Sequence, residues 1–508
     1  MNSQYYENTL RPVALDSATL HQVLVKLRHD VKRATDMIKA NAPEPSPDDS
    51  NGFGSIFNGA LGIGLMFFRL QGQAAYLADS DDASHNLAAE LYRQAGLRIS
   101  QHTTGASHLR PGRLAPVESA TLAPPLMRIA AAVAGPTHQP VNESDINILQ
   151  SAVDVALNQG SALGHDEALY GRAGLIWAIL YIRQLQPDER NTAALTSLFE
   201  KIPKLISAIV DVGKLGATEY SRLHGDHTAL PLMWPWKGKY YIGAIHGIAG
   251  ILAILLACKP SELQDSTTDH LPIIAQTITG LCKLSIKNNG HLPSSLPVHP
   301  TSHASPLVQI CHGSPGLLLL LAQARSTPLL TSSFWEPYWD QAILLGTQRV
   351  WEEGILLKGG GICHGIAGNA WPLLMLHDSF EYHKGSIAQG KLAYKDRTGV
   401  TPPEDEVELS GGYFLSRALA LLLYAEKTRP FDAGGVNFRM PDTPFGMFEG
   451  LAGTCTAWAE ACVVIQARLR KEELDEKGDS VPEKDEILCR HLSHELGFPG
   501  LSLGTVLR

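Results

Sequence analysis

A fold made of successive helix pairs is what the amino-acid sequence predicts, and two observations carry the prediction. A small-residue signature recurs six times, as Asn58-Gly-Ala-Leu-Gly62, Tyr170-Gly-Arg-Ala-Gly174, His246-Gly-Ile-Ala-Gly250, His312-Gly-Ser-Pro-Gly316, His364-Gly-Ile-Ala-Gly368 and Glu449-Gly-Leu-Ala-Gly453. Each copy runs into an apolar stretch of helical character, such as Ile251 to Ala257, while few segments show the period-two alternation of a half-buried strand. After the first gap the copies recur at intervals of about 50 to 85 residues, the length of one helix pair with its connections.

The first copy is followed by a gap wide enough for one further pair. Leu122 to Gly135 reads as that pair's inner segment without the signature, which brings the expected number of pairs to seven. Glycines at both ends of the signature allow a tight turn and a close approach of backbones where an inner helix starts. Helix starts gathered at one end would present unpaired N–H groups and partial positive charge, a setting for anionic ligands and for a metal-held thiolate. Three polar stretches interrupt the pattern: a linker at Pro43 to Ser50, an insertion at His383 to Glu408, and a charged region from Lys471 to Glu486. They read as solvated surface, and the insertion either covers the opening as a lid or stays disordered. Residues 1–508 are expected to form a single domain.

Composition narrows the function. The chain has 508 residues, 44% hydrophobic and 18% charged, which suits a large buried core rather than disorder. With 42 Lys and Arg against 51 Asp and Glu, the formal charge of −9 gives no footing for a nucleic-acid partner. The longest apolar runs, Gly316 to Ala322 and Ile251 to Ala257, fall short of the roughly 20 residues of a transmembrane helix. The N-terminus carries neither a secretion signal nor a myristoylation glycine, so a cytoplasmic location is expected. Seven cysteines, an odd number confined to the second half, read as thiols or metal ligands rather than a disulfide framework.

Two signatures carry cysteine directly before histidine, at Cys311-His312 and Cys363-His364. Thiolate and imidazole are the donors zinc prefers, although buried cysteine and histidine are also common in cores. Two cysteines and one histidine would leave one of zinc's four positions for a substrate thiol, held there as a thiolate nucleophile. His246 holds the same signature position in a copy that lacks cysteine. It is either a general acid or base or simply a packed helix-start donor. Asp166 and Glu167, just before Tyr170, either face the same opening or serve as charges near a helix start.

At these residues the chain resembles the eukaryotic lanthionine synthetase C-like family. The likeness rests on Glu167-Ala-Leu-Tyr-Gly-Arg-Ala-Gly174, Tyr240-Tyr-Ile-Gly-Ala-Ile-His-Gly-Ile-Ala-Gly-Ile251, Cys311-His-Gly-Ser-Pro-Gly316, Lys358-Gly-Gly-Gly-Ile-Cys-His-Gly-Ile-Ala-Gly-Asn369 and Arg439-Met-Pro-Asp-Thr-Pro-Phe-Gly-Met-Phe-Glu-Gly-Leu-Ala-Gly-Thr454, in the family's order. The resemblance implies an all-α fold, an α/α toroid of about seven helix hairpins in two concentric layers, with zinc (Zn2+) ligated by Cys311, Cys363 and His364, and His312 as a neighbour. It implies glutathione as co-substrate, its thiol added to dehydroalanine or dehydrobutyrine residues in proteins or peptides. His246 would then be the acid or base, with Glu167 in support. Lys358 and Arg439 would be the cations around glutathione and substrate. Gln4 stands where animal members carry an arginine, which removes one expected carboxylate contact. The competing expectation is a non-catalytic glutathione-binding scaffold that keeps the metal. A toroidal glycosidase using Asp166 and Glu167 leaves both cysteines unexplained and lacks separated carboxylates.

Overall fold

The computed structural model describes residues 4–46, 53–99, 106–158, 163–298, 306–402, 409–434, 437–477 and 485–504. Its long helices are α1 (Ser17–Asn41), α2 (Ala60–Gly72), α3 (Asp81–Gly96), α4 (Ala123–Ala134), α5 (Glu143–Asn158), α6 (Arg172–Gln184), α7 (Ile202–His224), α8 (Ile248–Leu256), α9 (Leu271–Lys287), α10 (Ser314–Arg325), α11 (Pro337–Glu353), α12 (Ile366–Tyr382), α13 (Gly411–Ala425) and α14 (Leu451–Lys477). The even-numbered helices pack each on the next from α2 to α14, and α14 returns to α2, which closes a ring. The odd-numbered helices lie against them: α1 on α14, α3 on α2, α5 on α4, α7 on α6, α9 and α11 on α10, and α13 on α12. The result is an α/α toroid of two layers. The segment from Leu122, which lacks the signature, supplies the inner helix α4 as the sequence predicts. Among the described residues the only sheet is a two-residue antiparallel ladder, Tyr240–Tyr241 against Ser295–Leu296.

The layer each helix occupies follows from its sequence. Every residue of α8 and of α10 is buried, as expected of helices apolar all round. The outer helix α1 buries Leu20, Val23, Leu24, Leu27, Val31, Ala34 and Ile38, a stripe at spacings of three and four that faces the inner layer. The side chains of six tryptophans, Trp177, Trp234, Trp335, Trp339, Trp371 and Trp458, are buried almost without exposure.

The signature has one local structure in all six copies. Its last glycine packs against the carbonyl oxygen six residues earlier, so that a Cβ at Gly62, Gly174, Gly250, Gly316, Gly368 or Gly453 would lie only 2.1, 2.0, 1.6, 2.8, 2.0 or 2.2 Å from that oxygen. No side chain fits there. In the same loops the first helical N–H groups bond backwards to the loop itself: Arg172 to the His165 carbonyl (2.9 Å), Ile366 to Gly359 (2.9 Å), Ala367 to Gly360 (3.1 Å) and Leu451 to Pro444 (2.8 Å). This corrects the expectation of free N–H groups waiting for anions. The loop carbonyls take those donors up, and what the helix starts offer a ligand is the side chain at the head of each signature.

The opposite end of the ring is closed by the chain's own C-terminal segment. Residues 495–504 are buried except for the half-buried Leu496, and they touch four inner helices: Arg69 of α2 donates to the Gly497 carbonyl (2.6 Å), Glu460 of α14 accepts from the N–H groups of Leu496 and Gly497 (2.8 Å each), Phe498 meets the ring of Trp371 of α12 at 5.2 Å, and Gly504 adjoins Gln184 of α6. The expected lid is corrected. Within the insertion, Lys384–Thr398 is a helix lying along Pro328–Phe334, beyond the C-terminal end of α10 and away from the signatures, and residues 403–408 lie outside the described residues. Of the charged region, residues 471–477 continue α14, and 478–484 lie outside the described residues, as do 47–50 of the linker. No helix among the described residues is long and apolar enough to cross a membrane.

Candidate metal centre

Cys311, Cys363 and His364 meet at the signature end of the ring. One ligand atom from each lies within 4.8 Å of the other two, and no other trio of His, Cys, Asp or Glu among the described residues does so. The main chain enforces the meeting: the Cys311 N–H donates to the Cys363 carbonyl (3.3 Å), and the Cys363 N–H donates to the carbonyl of Phe448 (2.8 Å). Gly243 seats the Cys311 carbonyl directly on its Cα, where a Cβ would come within 2.3 Å. Both thiols are buried, and His364 is about one quarter exposed.

The electrostatics of the two thiols are those of a shared proton. Cys363 and then His364, by hydrogen bonding, hold Cys311 well below the ordinary thiol range; the same bond to Cys311, reinforced by burial, pushes Cys363 well above it. One thiol ionises readily and the second resists in the absence of a cation, and a divalent ion with thiolate preference relieves that repulsion. The donor set fits zinc.

Around this trio the signature heads form a polar ring. His246 sends Nδ1 to Glu167 Oε2 at 3.2 Å, and Glu167 is fixed in turn by the N–H groups of Leu169 (2.9 Å) and Tyr170 (2.7 Å). The indole of Trp236 stacks on His246 with centroids 4.1 Å apart and planes 5° from parallel, and His312 lies 6.2 Å from the same imidazole. His312 thus sits between His246 and the cysteines. Asp166 does not join them. It is buried against Arg172 (2.6 Å), and burial, outweighing the arginine, pushes its carboxyl up to about 7. The two adjacent carboxylates therefore have separate partners, which removes the glycosidase reading.

Lys358 lies close enough to Cys363 to act on its thiol electrostatically. Arg439 is exposed, and its N–H donates to the Leu357 carbonyl (2.9 Å), so the two cations sit on neighbouring strands of loop. The Leu357 N–H in turn donates to the carbonyl of Gln4 (3.1 Å), which brings the N-terminal segment to the same place. Four polar groups near the centre were missed. Glu449 places Oε1 3.8 Å from His364 Nε2 and accepts from Thr443 (3.0 Å). Glu118 hydrogen-bonds Ser55, its carboxyl raised by burial. Gln309 donates to Cys311 Sγ at 3.1 Å. Trp236 is the fourth. Only Glu449 had a signal in the sequence, since it occupies the same signature position as His246 and His364.

The family model of the lanthionine synthetase C-like proteins matches residues 129–396, more than half of the chain. The chain belongs to the lanthionine synthetase C-like family. A zebrafish (Danio rerio) relative named glutathione S-transferase LANCL1 is 27% identical over 317 residues, which cover 62% of this chain and 64% of the relative. LanC-like protein GCL1 of Arabidopsis thaliana is 25% identical over 318 residues, 62% of this chain and 59% of the relative. The chain thus spans about three fifths of the length of these curated relatives. Among solved structures nisin cyclase aligns with 80% of this chain and 98% of its own, at 15% identity and a TM-score of 0.38. The closed ring described above stands on this chain's own helix contacts.

Proposed function

We propose that this lanthionine synthetase C-like protein is a zinc-dependent enzyme that adds the thiol of glutathione to dehydroalanine or dehydrobutyrine residues in proteins or peptides. The observation that carries the reading is the convergence of Cys311, Cys363 and His364 on one point, with the His246–Glu167 pair one imidazole away. Zinc bound there supplies Lewis acidity that keeps a substrate thiol ionised at neutral pH. A relative named as a glutathione S-transferase supports glutathione as the thiol.

The roles of the chain's own residues follow from their contacts. Glu167 accepts from Nδ1 of His246 and so leaves Nε2 to carry the proton in flight. In the addition, the thiol proton passes to His246, the sulfur forms a bond to the β-carbon, the π electrons move to the α-carbon and its carbonyl, and His246 returns the proton to the α-carbon. The thiol proton thereby ends on the product and the enzyme is unchanged. Stacking on Trp236 keeps the imidazole plane fixed while the proton moves. Lys358 and Arg439, on neighbouring loop segments, would pair with the carboxylates of glutathione. Incubation with glutathione and a dehydroalanine peptide is expected to give, by mass spectrometry, a product heavier by one glutathione. A fully zinc-loaded protein that yields no adduct overturns the reading.

A further inference from the structure

Cys311 and Cys363 have the same kind of place in the fold but different surroundings. Gln309, two residues before Cys311, is 5% exposed, and its side-chain amide has been turned onto the sulfur, Nε2 to Sγ 3.1 Å. A buried amide N–H needs an acceptor, and here the Cys311 sulfur rather than a carbonyl supplies it. The backbone around Gln309 is held on both sides. The Ile310 carbonyl accepts from Ala244 (3.3 Å), the Cys311 N–H donates to the Cys363 carbonyl (3.3 Å), and Gly313, at φ 130°, turns the chain back against the Leu307 carbonyl. The amide has little freedom to leave. The corresponding residue two before Cys363 is Gly361, which has no side chain and so no donor to offer.

We propose that Gln309 is a positioning residue of the metal centre, whose N–H···S bond aims the Cys311 sulfur at the ion and draws charge from it, making the two thiolate ligands unequal. The proposal rests on zinc binding at Cys311, Cys363 and His364. With Cys311 the weaker donor, the ion keeps more of its charge for an incoming sulfur ligand. Outer partners of this kind typically govern metal affinity by about 10- to 100-fold.

The test compares the full-length protein with Gln309→Leu, which removes the donor at similar volume, and Gln309→Ala, which removes it without steric conflict and serves if the leucine variant fails to fold. Zinc affinity is measured by competition with a chromophoric chelator. Cobalt(II) loading reads the thiolate-to-metal charge-transfer band, which packing alone does not move. The expected result is a charge-transfer band shifted to lower energy, because the unbonded sulfur donates more strongly, and a zinc affinity about 10- to 100-fold weaker, because the loss of aim outweighs that gain. Folded variants with unchanged affinity and an unchanged band overturn the role of Gln309 and leave the zinc reading standing. A wild-type protein that binds neither metal overturns both.

Discussion

The two ends of the toroid bury polar groups for opposite purposes. Where the inner helices begin, Cys311, Cys363, His364, His246 and Glu167 are held by main-chain bonds in mutual reach, with both histidines partly open. Where those helices end, Asp378, Glu460, Glu495 and Arg69 are equally polar but shut in by the C-terminal segment around a cavity of about 20 Å³, room for one water. Arg69 and Glu460 approach to 3.6 Å, and Glu460 also receives Gln73 (2.7 Å). The first end leaves its donor atoms open to a ligand; the second is covered by the chain's own residues 495–504. Clustered polar groups alone do not distinguish a site from a seal, and what does is whether another part of the chain covers them.

That contrast can be broken at either end. The largest effect is expected from Cys363→Ala or Cys311→Ala, which should reduce zinc retained after gel filtration to background by metal analysis and loosen the signature loops, since binding and folding are coupled. His246→Ala should lower turnover by roughly 10²- to 10⁴-fold with zinc and glutathione still bound, as seen by parallel calorimetry and kinetics. Undiminished turnover would favour the scaffold reading. At the sealed end, Arg69→Ala leaves Glu460 buried without its cation and should cost about 3–5 kcal/mol in denaturant unfolding. Zinc affinity should hold in the folded fraction; if it collapses, the two ends are not separable.

The smallest effect is a pH dependence. Burial pushes the carboxyls of Asp378 and Glu495 well up, each beside the other and facing Glu460, with Tyr382 close by. The folded state holds their protons more tightly than the unfolded chain does. Their support for the fold is therefore complete below the unfolded value of about 4 and is lost as pH rises through the raised folded values. Asp378→Asn should flatten the fall in melting temperature with rising pH, each unit of raised pKa being worth about 1.4 kcal/mol. An unaltered pH profile would show that the seal carries its acids without strain.

Much of this was legible beforehand because repetition amplifies a weak local signal. One glycine-rich pentapeptide says little, but six copies before six apolar stretches announce a ring of inner helices, and the cysteines within two copies fall together once the copies are superposed. Asp166 and Glu167 show where legibility ends. Adjacent in the chain and alike in charge, they turn to Arg172 and to His246 respectively, and no pattern along the chain separates those partners.

The order of residues was enough to settle the helix pairs and the turns that only glycine permits, because each depends on neighbours a few positions away or on exact repetition; the choice of His364 over His312 beside the two cysteines came only with the family resemblance. Folding in three dimensions decided the rest. It put Gln309 on one sulfur and nothing equivalent on the other, gave His364 a carboxylate from α14's signature, laid the insertion helix along the outside, and drew residues 495–504 into the ring. Those contacts join segments far apart in the chain, and they exist only after the ring has closed and brought the segments together.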